Sequence, residues 1–252
     1  MSPKSLDGKS SPMAQTINAF NAKRRLSSDD QCLMVFAKAP IQGEVKTRLA
    51  AEIGTETATG LYRAFVSDLL SMLSQTPYPV QIHFWPPDAR KQMREWLGTG
   101  YELIAQTGRD LGEKMGAAFS LAFSRNYRQA VLVGTDFPDL PTSFIHDAFA
   151  ALSKSPAVIG PSKDGGYFLV GFDRDFFLPA IFSGIHWGST TVLAETAAIF
   201  KHNKTPVHYI NQWADIDTHA DLMEFYRRAK TTSGPKAAET LNFLDNMGLT
   251  RS

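Results

Sequence analysis

Three aspartates and three basic side chains are spaced along this sequence in a way that could do chemistry. Asp136 directly follows the apolar run Val131, Leu132 and Val133, which places its carboxylate at the carboxyl end of a buried strand. Carboxylates at such an edge suit Mg2+ or Mn2+, hard cations that take oxygen ligands and bridge phosphate oxygens. Asp139 lies just beyond, and either acid reads equally as the cap of a helix beginning after Pro141. Asp215 and Asp217 fall between an apolar stretch at 207–210 and a helical pattern, where Asp217 or Thr218 also makes a good N-cap. Asp164 opens the turn Asp164-Gly165-Gly166-Tyr167, in which two glycines permit close backbone approach beside a carboxylate and an amphipathic ring. His186-Trp187-Gly188 is a glycine-punctuated loop that either lines an acceptor pocket with Trp187 or is packed structure.

The basic residues cluster after the first apolar run, residues 33–36. Lys38, Lys46 and Arg48 sit in a loop broken by Pro40 and Gly43, a common way to hold phosphate where a sheet ends. Two familiar phosphate motifs are absent. Gly43 is followed by Glu44 and Val45 before Lys46-Thr47, which is not a Walker loop, and Gly98 and Gly100 lack the third glycine of a dinucleotide fingerprint. Arg109 and Asp110 precede another helical pattern and are placed to contact base or ribose, or for Asp110 to cap that helix.

The elements that must position these groups follow from periodicity. Leu61, Phe65, Leu69 and Leu73 mark a helix on a sheet; Val80, Ile82 and Phe84 alternate as a strand; Leu111, Met115, Phe119 and Phe123 mark the next helix. Strand and helix alternate, which predicts right-handed crossovers and a mostly parallel, doubly covered sheet. The glycine pair at 165–166 between apolar runs predicts an antiparallel hairpin. Residues 1–31 read as a disordered tail, with a possible amphipathic helix at Ile17, Phe20 and Lys23-Arg24-Arg25. Residues 32–230 read as one catalytic domain, and 231–252 as a helix that covers the core or forms an interface.

Composition sets the outer limits. The 252 residues carry 26 basic and 25 acidic side chains, a net charge of +1, so no global field recruits nucleic acid. The lone Cys32 and the lack of an apolar signal or spanning segment predict a cytoplasmic protein without a membrane span.

Taken together, FAKAPIQGEVKTRL at 36–49, TGRDLGEKM at 107–115, GTDFPDL at 134–140, PSKDGGYFLVG at 161–171, WGSTTVL at 187–193 and DIDTHADL at 215–222 resemble the nucleotide-diphospho-sugar transferase superfamily. Within it the chain resembles a bacterial glycosyltransferase-like family, and it is similar also to 2-phospho-L-lactate guanylyltransferase. The resemblance implies the glycosyltransferase-A fold, a three-layer α/β/α domain. It implies Asp136 and Asp217 as ligands of Mg2+ or Mn2+, and Lys46 and Arg48, with Lys38, on the phosphates of a nucleotide-sugar or nucleoside triphosphate. It implies Asp164 orienting or deprotonating a small-molecule acceptor, with Gly165, Gly166, Tyr167 and Trp187 around it. Where the superfamily usually carries Asp-x-Asp, this chain has Asp136-Phe137-Pro138-Asp139.

Overall fold

A computed structural model of the chain describes residues 27–231 and 237–248. The expected helix near Ile17 and Phe20, and residues 1–26 of the expected tail, lie outside them; of the rest, Ser28–Asp30 form a 3-10 turn and Gln31 opens the first strand. Seven strands form one sheet in the order β3-β2-β1-β4-β6-β5-β7: β1 Gln31–Lys38, β2 Val80–Trp85, β3 Glu102–Ala105, β4 Gln129–Val133, β5 Ala157–Pro161, β6 Tyr167–Asp173 and β7 Val207–Tyr209. Among these, β6 alone runs antiparallel to its neighbours β4 and β5. The expected hairpin is therefore β5–β6, folded back so that β6 slots between β4 and β5.

The helices cover both faces. On one side, α2 (Thr55–Leu73), α3 (Arg90–Leu97) and α5 (Thr142–Leu152) pack Val66, Leu69, Met93, Ile145 and Phe149 onto Leu33 and Val35 of β1 and Val131 and Val133 of β4. On the other, α4 (Leu111–Ser124) and α6 (Val192–His202) pack Met115, Phe119 and Phe200 onto Cys32, Met34 and Leu132. This makes a three-layer α/β/α domain with a mostly parallel central sheet. Alternate residues of β1 face opposite cores, which explains why its apolar run is continuous rather than alternating. Each fully buried Leu or Phe side chain contributes about 1.5–3 kcal/mol of burial free energy.

A third cluster lies at one end of the sheet, where α1 (Thr47–Ile53), α2, α7 (His219–Thr231) and α8 (Ala238–Met247) bring together Leu49, Phe65, Ile216, Phe225 and Leu244. The C-terminal helix α8 thus packs on α2. The buried Asp68 carboxylate of α2 accepts from the N–H groups of Glu239 (3.0 Å) and Thr240 (2.8 Å), satisfying orphan donors at the start of α8.

The order of strands decides where a site can form. From β1 the chain moves outward to β2 and β3, then returns past β1 to β4 and continues the other way. The connections after β1 and β4 therefore diverge, and a crevice opens at the carboxyl ends of these two strands, the position where open α/β sheets bind ligands.

Candidate active site

Lys46 ties the crevice together. It stands at the N-cap of α1 with φ 48° and ψ 46°, a left-handed conformation that costs a non-glycine residue about 1 kcal/mol. Its side chain is only 3% exposed, above the ring of Phe65. The ammonium lies 2.5 Å from Asp136 Oδ1, 2.9 Å from Asp217 Oδ1 and 2.7 Å from the Ile216 carbonyl oxygen. An ammonium has three N–H donors, and here all three are engaged.

Two backbone features bring these carboxylates to one lysine. The Ile216 N–H donates to the Asp136 carbonyl (3.1 Å), and the Ile216 side chain is buried in the third cluster, so the 215–217 segment is pinned along the end of β4. The start of α7 is capped by Thr218: the Asp221 N–H donates to Thr218 Oγ1 (3.2 Å), and the Asp221 carboxylate accepts from the Thr218 N–H (2.8 Å). Thr218 thus does the capping that the sequence allowed to either residue, and the Asp217 side chain turns to the crevice.

Asp139 serves neither of its expected ends. Its carboxylate accepts from the Arg228 guanidinium (2.6 and 2.9 Å) and from Trp213 Nε1–H (3.1 Å), while Pro141 holds the N-cap position of α5. It is a buried structural pair, facing away from the crevice.

The electrostatics follow from this packing. Burial disfavours the charged form of Lys46, but Asp136 and Asp217 outweigh it and raise its pKa. Burial likewise opposes ionisation of Asp217, and Lys46, Arg48 and Lys38 overcome it, holding that carboxyl below its ordinary value. Asp215 has no such partner: burial first, then the carboxylates of Asp164, Asp217 and Asp136, push it up to about 6. Two carboxylates therefore hold one wholly engaged ammonium, Asp215 lies within electrostatic range of both, and Arg48 is 70% exposed and 3.8 Å from Asp217 Oδ2.

The crevice is a cavity of about 710 Å³, lined by Asp136, Asp164, Asp215 and Asp217 at one end. Asp164 is fixed by the Ser162 hydroxyl and the Gly166 N–H (2.9 Å), which both donate to its Oδ1. Gly165 does not line the cavity. It turns with φ 90°, and an added Cβ would lie 2.1 Å from the Thr190 carbonyl oxygen, so its role is to let this turn pack against the 189–193 loop. Tyr167 and Trp187 do line it, meeting edge to face at 6.3 Å.

The same cavity also has a basic and aromatic lining. Lys38 closes β1, its register partner Trp85 closes β2, and Lys114 of α4 places its ammonium 3.4 Å from the Trp85 ring centroid. The Lys38 backbone is held by the Tyr62 hydroxyl, which accepts from its N–H (2.8 Å).

Of the residues expected in the site, the structure gathers Lys38, Lys46, Arg48, Asp136, Asp164, Gly166, Tyr167, Trp187 and Asp217 around one cavity. Five do not line it, Gly165 and four others. Pro40 is buried behind the loop, and Gly43 forms an exposed turn with φ 82°. Asp110 caps α4, accepting from the Glu113 N–H (2.8 Å), and Arg109 is 91% exposed with its guanidinium on Glu113. Trp85 and Lys114 belong to the cavity without having been singled out, and Asp215, noted only as the neighbour of Asp217, joins them. The alternation Asp-Ile-Asp was the available signal for Asp215, since burying Ile216 turns both acids the other way.

The donor set at the acidic end is all oxygen, which fits Mg2+ or Mn2+. Among the described residues no three His, Cys, Asp or Glu side chains are arranged to hold a metal ion.

Comparison with known proteins places this architecture. Residues 69–189 match a family described as "Uncharacterized protein conserved in bacteria (DUF2064)". Curated protein sequences give no match. A crystal structure of a "putative nucleotide-diphospho-sugar transferase" from Desulfovibrio desulfuricans G20 is 38% identical, with a TM-score of 0.83, over 88% of this chain and 97% of that one. Two further structures share the fold alone. They are 4-diphosphocytidyl-2C-methyl-D-erythritol synthase from Anaerococcus prevotii (12% identity, TM-score 0.50, 77% of this chain and 95% of that one) and a cytidylyltransferase from Leptospira borgpetersenii (11% identity, TM-score 0.50, 88% and 97%).

Proposed function

We propose that this chain, which belongs to the bacterial family of nucleotide-diphospho-sugar transferase-like proteins represented by the Desulfovibrio relative, transfers a glycosyl group from a nucleotide-diphospho-sugar to a small acceptor. The observation that carries this reading is the pairing of Asp136 and Asp217 on Lys46 at the sheet edge, with Asp164 on the same cavity. An acidic centre beside a second, separately held carboxylate suits a reaction in which a diphosphate leaves and a hydroxyl arrives.

Asp136 and Asp217 would hold Mg2+ or Mn2+ through oxygens that Lys46 leaves free; bound there, the ion would neutralise charge on the departing diphosphate. Lys46 keeps the two carboxylates side by side despite their mutual repulsion, a positioning role. Arg48 faces the diphosphate from the rim, and Lys38 from the end of β1. Asp164, its Oδ1 fixed by Ser162 and Gly166, accepts a hydrogen bond from the acceptor hydroxyl and orients it. Tyr167 and Trp187 wall the acceptor side and exclude water from it.

The test is release of nucleoside diphosphate by purified protein from a panel of nucleotide-sugars, with Mn2+ or Mg2+ and a mixture of small hydroxyl acceptors. Turnover of at least one donor is expected, falling about 100-fold or more in Asp136→Asn. Pyrophosphate release from a nucleoside triphosphate, with no donor sugar consumed, would replace this reading by nucleotidyl transfer. Nucleotide binding without any turnover would replace it by a binding function.

A further inference from the structure

We infer that Lys114 of α4 and Lys38 at the end of β1 form the phosphate seat of the cavity, a phosphoryl-anion site separate from Lys46. The identity of the ligand rests on the proposed nucleotide chemistry, and the site itself rests on geometry. Lys46, the basic residue nearest the acidic end, has its three donors on Asp136, Asp217 and the Ile216 carbonyl. A phosphate could reach it only by breaking one of those contacts, and would have to do so beside the carboxylates of Asp136 and Asp217.

Lys38 and Lys114 are the opposite case. Both line the cavity, and neither has a carboxylate at ion-pair distance among the described residues. They converge because Lys38 is in register with Trp85, whose ring lies 3.4 Å from the Lys114 ammonium. The ring face carries the Lys114 ammonium itself, which is thus positioned by a cation–π contact rather than by an acid. Burial, and then the charge of Lys38, disfavour protonated Lys114, and the more distant Asp110 carboxylate offsets them only in part. Two like charges that line one cavity, with no carboxylate at ion-pair distance from either, are stabilised by an anion arriving between them. Lys38 also acts electrostatically on Asp217, so the lysine end and the carboxylate end are within range of a single ligand. A diphosphate across the ends of β1 and β2 would place one phosphate on the lysines and present the next to the carboxylate centre.

The probe is inorganic pyrophosphate, titrated calorimetrically into the full chain with a chelator present, so that no metal on Asp136 or Asp217 contributes. Saturable binding is expected, weakened about tenfold or more in Lys114→Met and in Lys38→Gln, and unchanged in Lys91→Gln on the exposed face of α3. Lys114→Met keeps an apolar stem over Trp85 and removes only the charge, and Lys114→Arg should restore most of the affinity. Either of the two sites decides the matter in a variant that melts as the wild type does. No saturable binding to the wild type, or equal affinity in both charge-removed variants, would overturn the inference. Its failure is distinguishable from that of the proposed function. Pyrophosphate held by the lysines, with no donor turned over, leaves the seat standing and removes the transferase. Donor turnover with unchanged KM in both variants does the reverse.

Discussion

Lys46 and Lys114 line the same cavity and meet opposite fates. Lys46 enters at a left-handed residue, is buried to 3% exposure and has each N–H on an oxygen supplied by the chain. Lys114 lies on a helix, one turn after Leu111, has its ammonium over an aromatic ring and has no acid at ion-pair distance among the described residues. One lysine is tied into a carboxylate pair; the other, on the inference proposed above, is charge held for a ligand. Burial and pairing, more than residue type, decide which lysine in a site binds substrate.

The largest effects should come from the scaffold end. Lys46→Met removes the ammonium that keeps Asp136 and Asp217 together and leaves the Ile216 carbonyl without its donor. Donor turnover should fall about 1,000-fold, with a stability loss of about 1–3 kcal/mol, below the usual cost of breaking a buried pair because both carboxylates are over one-third exposed. Steady-state kinetics and denaturant titration read the two quantities separately. Wild-type stability with lost turnover would still place Lys46 in the chemistry; unchanged turnover would break the contrast outright.

Lys114→Met should behave differently in kind. With no ion pair to lose, its stability should stay within about 1 kcal/mol of wild type, the size of one cation–π contact. KM for the donor should rise about tenfold. A fall in stability as large as that of Lys46→Met would mean the two lysines are both structural.

Much of this arrangement was legible in the sequence, for reasons that differ by residue. The sheet was, because a strand buried on both faces must be continuously apolar, as 131–133 are, and because a helix on a sheet must show the stripe from Leu61 to Leu73. Asp136 was, because the residues just past the end of a buried strand must lie at the edge of the sheet. The split between Asp217 and Thr218 was not, since both are good caps and only the Asp221 bond to Thr218 decides between them. The pairing of Lys46 with two acids distant in sequence was hidden for the same reason: it depends on Ile216 being buried and bonded to Asp136. Lys114 carried no signal beyond its place in a helix, because its meaning comes from Trp85, contributed by another strand.

A smaller effect concerns the sheet beneath the lysine end. His83 of β2 is 1% exposed, its Nε2 has no hydrogen-bond partner among the described residues, and burial lowers its pKa to about 4. A histidine lowered in the folded state stays neutral there while the unfolded chain takes up a proton near pH 6.5, so stability is full above that pH and is lost as pH falls toward 4. The total is of order 3 kcal/mol. His83→Gln should flatten the profile of Tm against pH across this window, and an unchanged slope would assign the acid sensitivity elsewhere.

The smallest effect expected is also the sharpest test of the division between cavity and surface. Arg109 belongs to the same TGRDLGEKM stretch as Lys114, and by sequence it has the better claim to a nucleotide, being an arginine in a glycine-containing loop before a helix. The structure directs it outward onto Glu113, one helical turn away, at 91% exposure, where an ion pair is screened by water and salt. Arg109→Ala should therefore leave kcat, KM and pyrophosphate affinity as in the wild type, while Lys114→Met raises KM. A raised KM in Arg109→Ala would show that this loop folds over the ligand on binding. The lysine pair would then be one wall of a larger anion site rather than the whole of it.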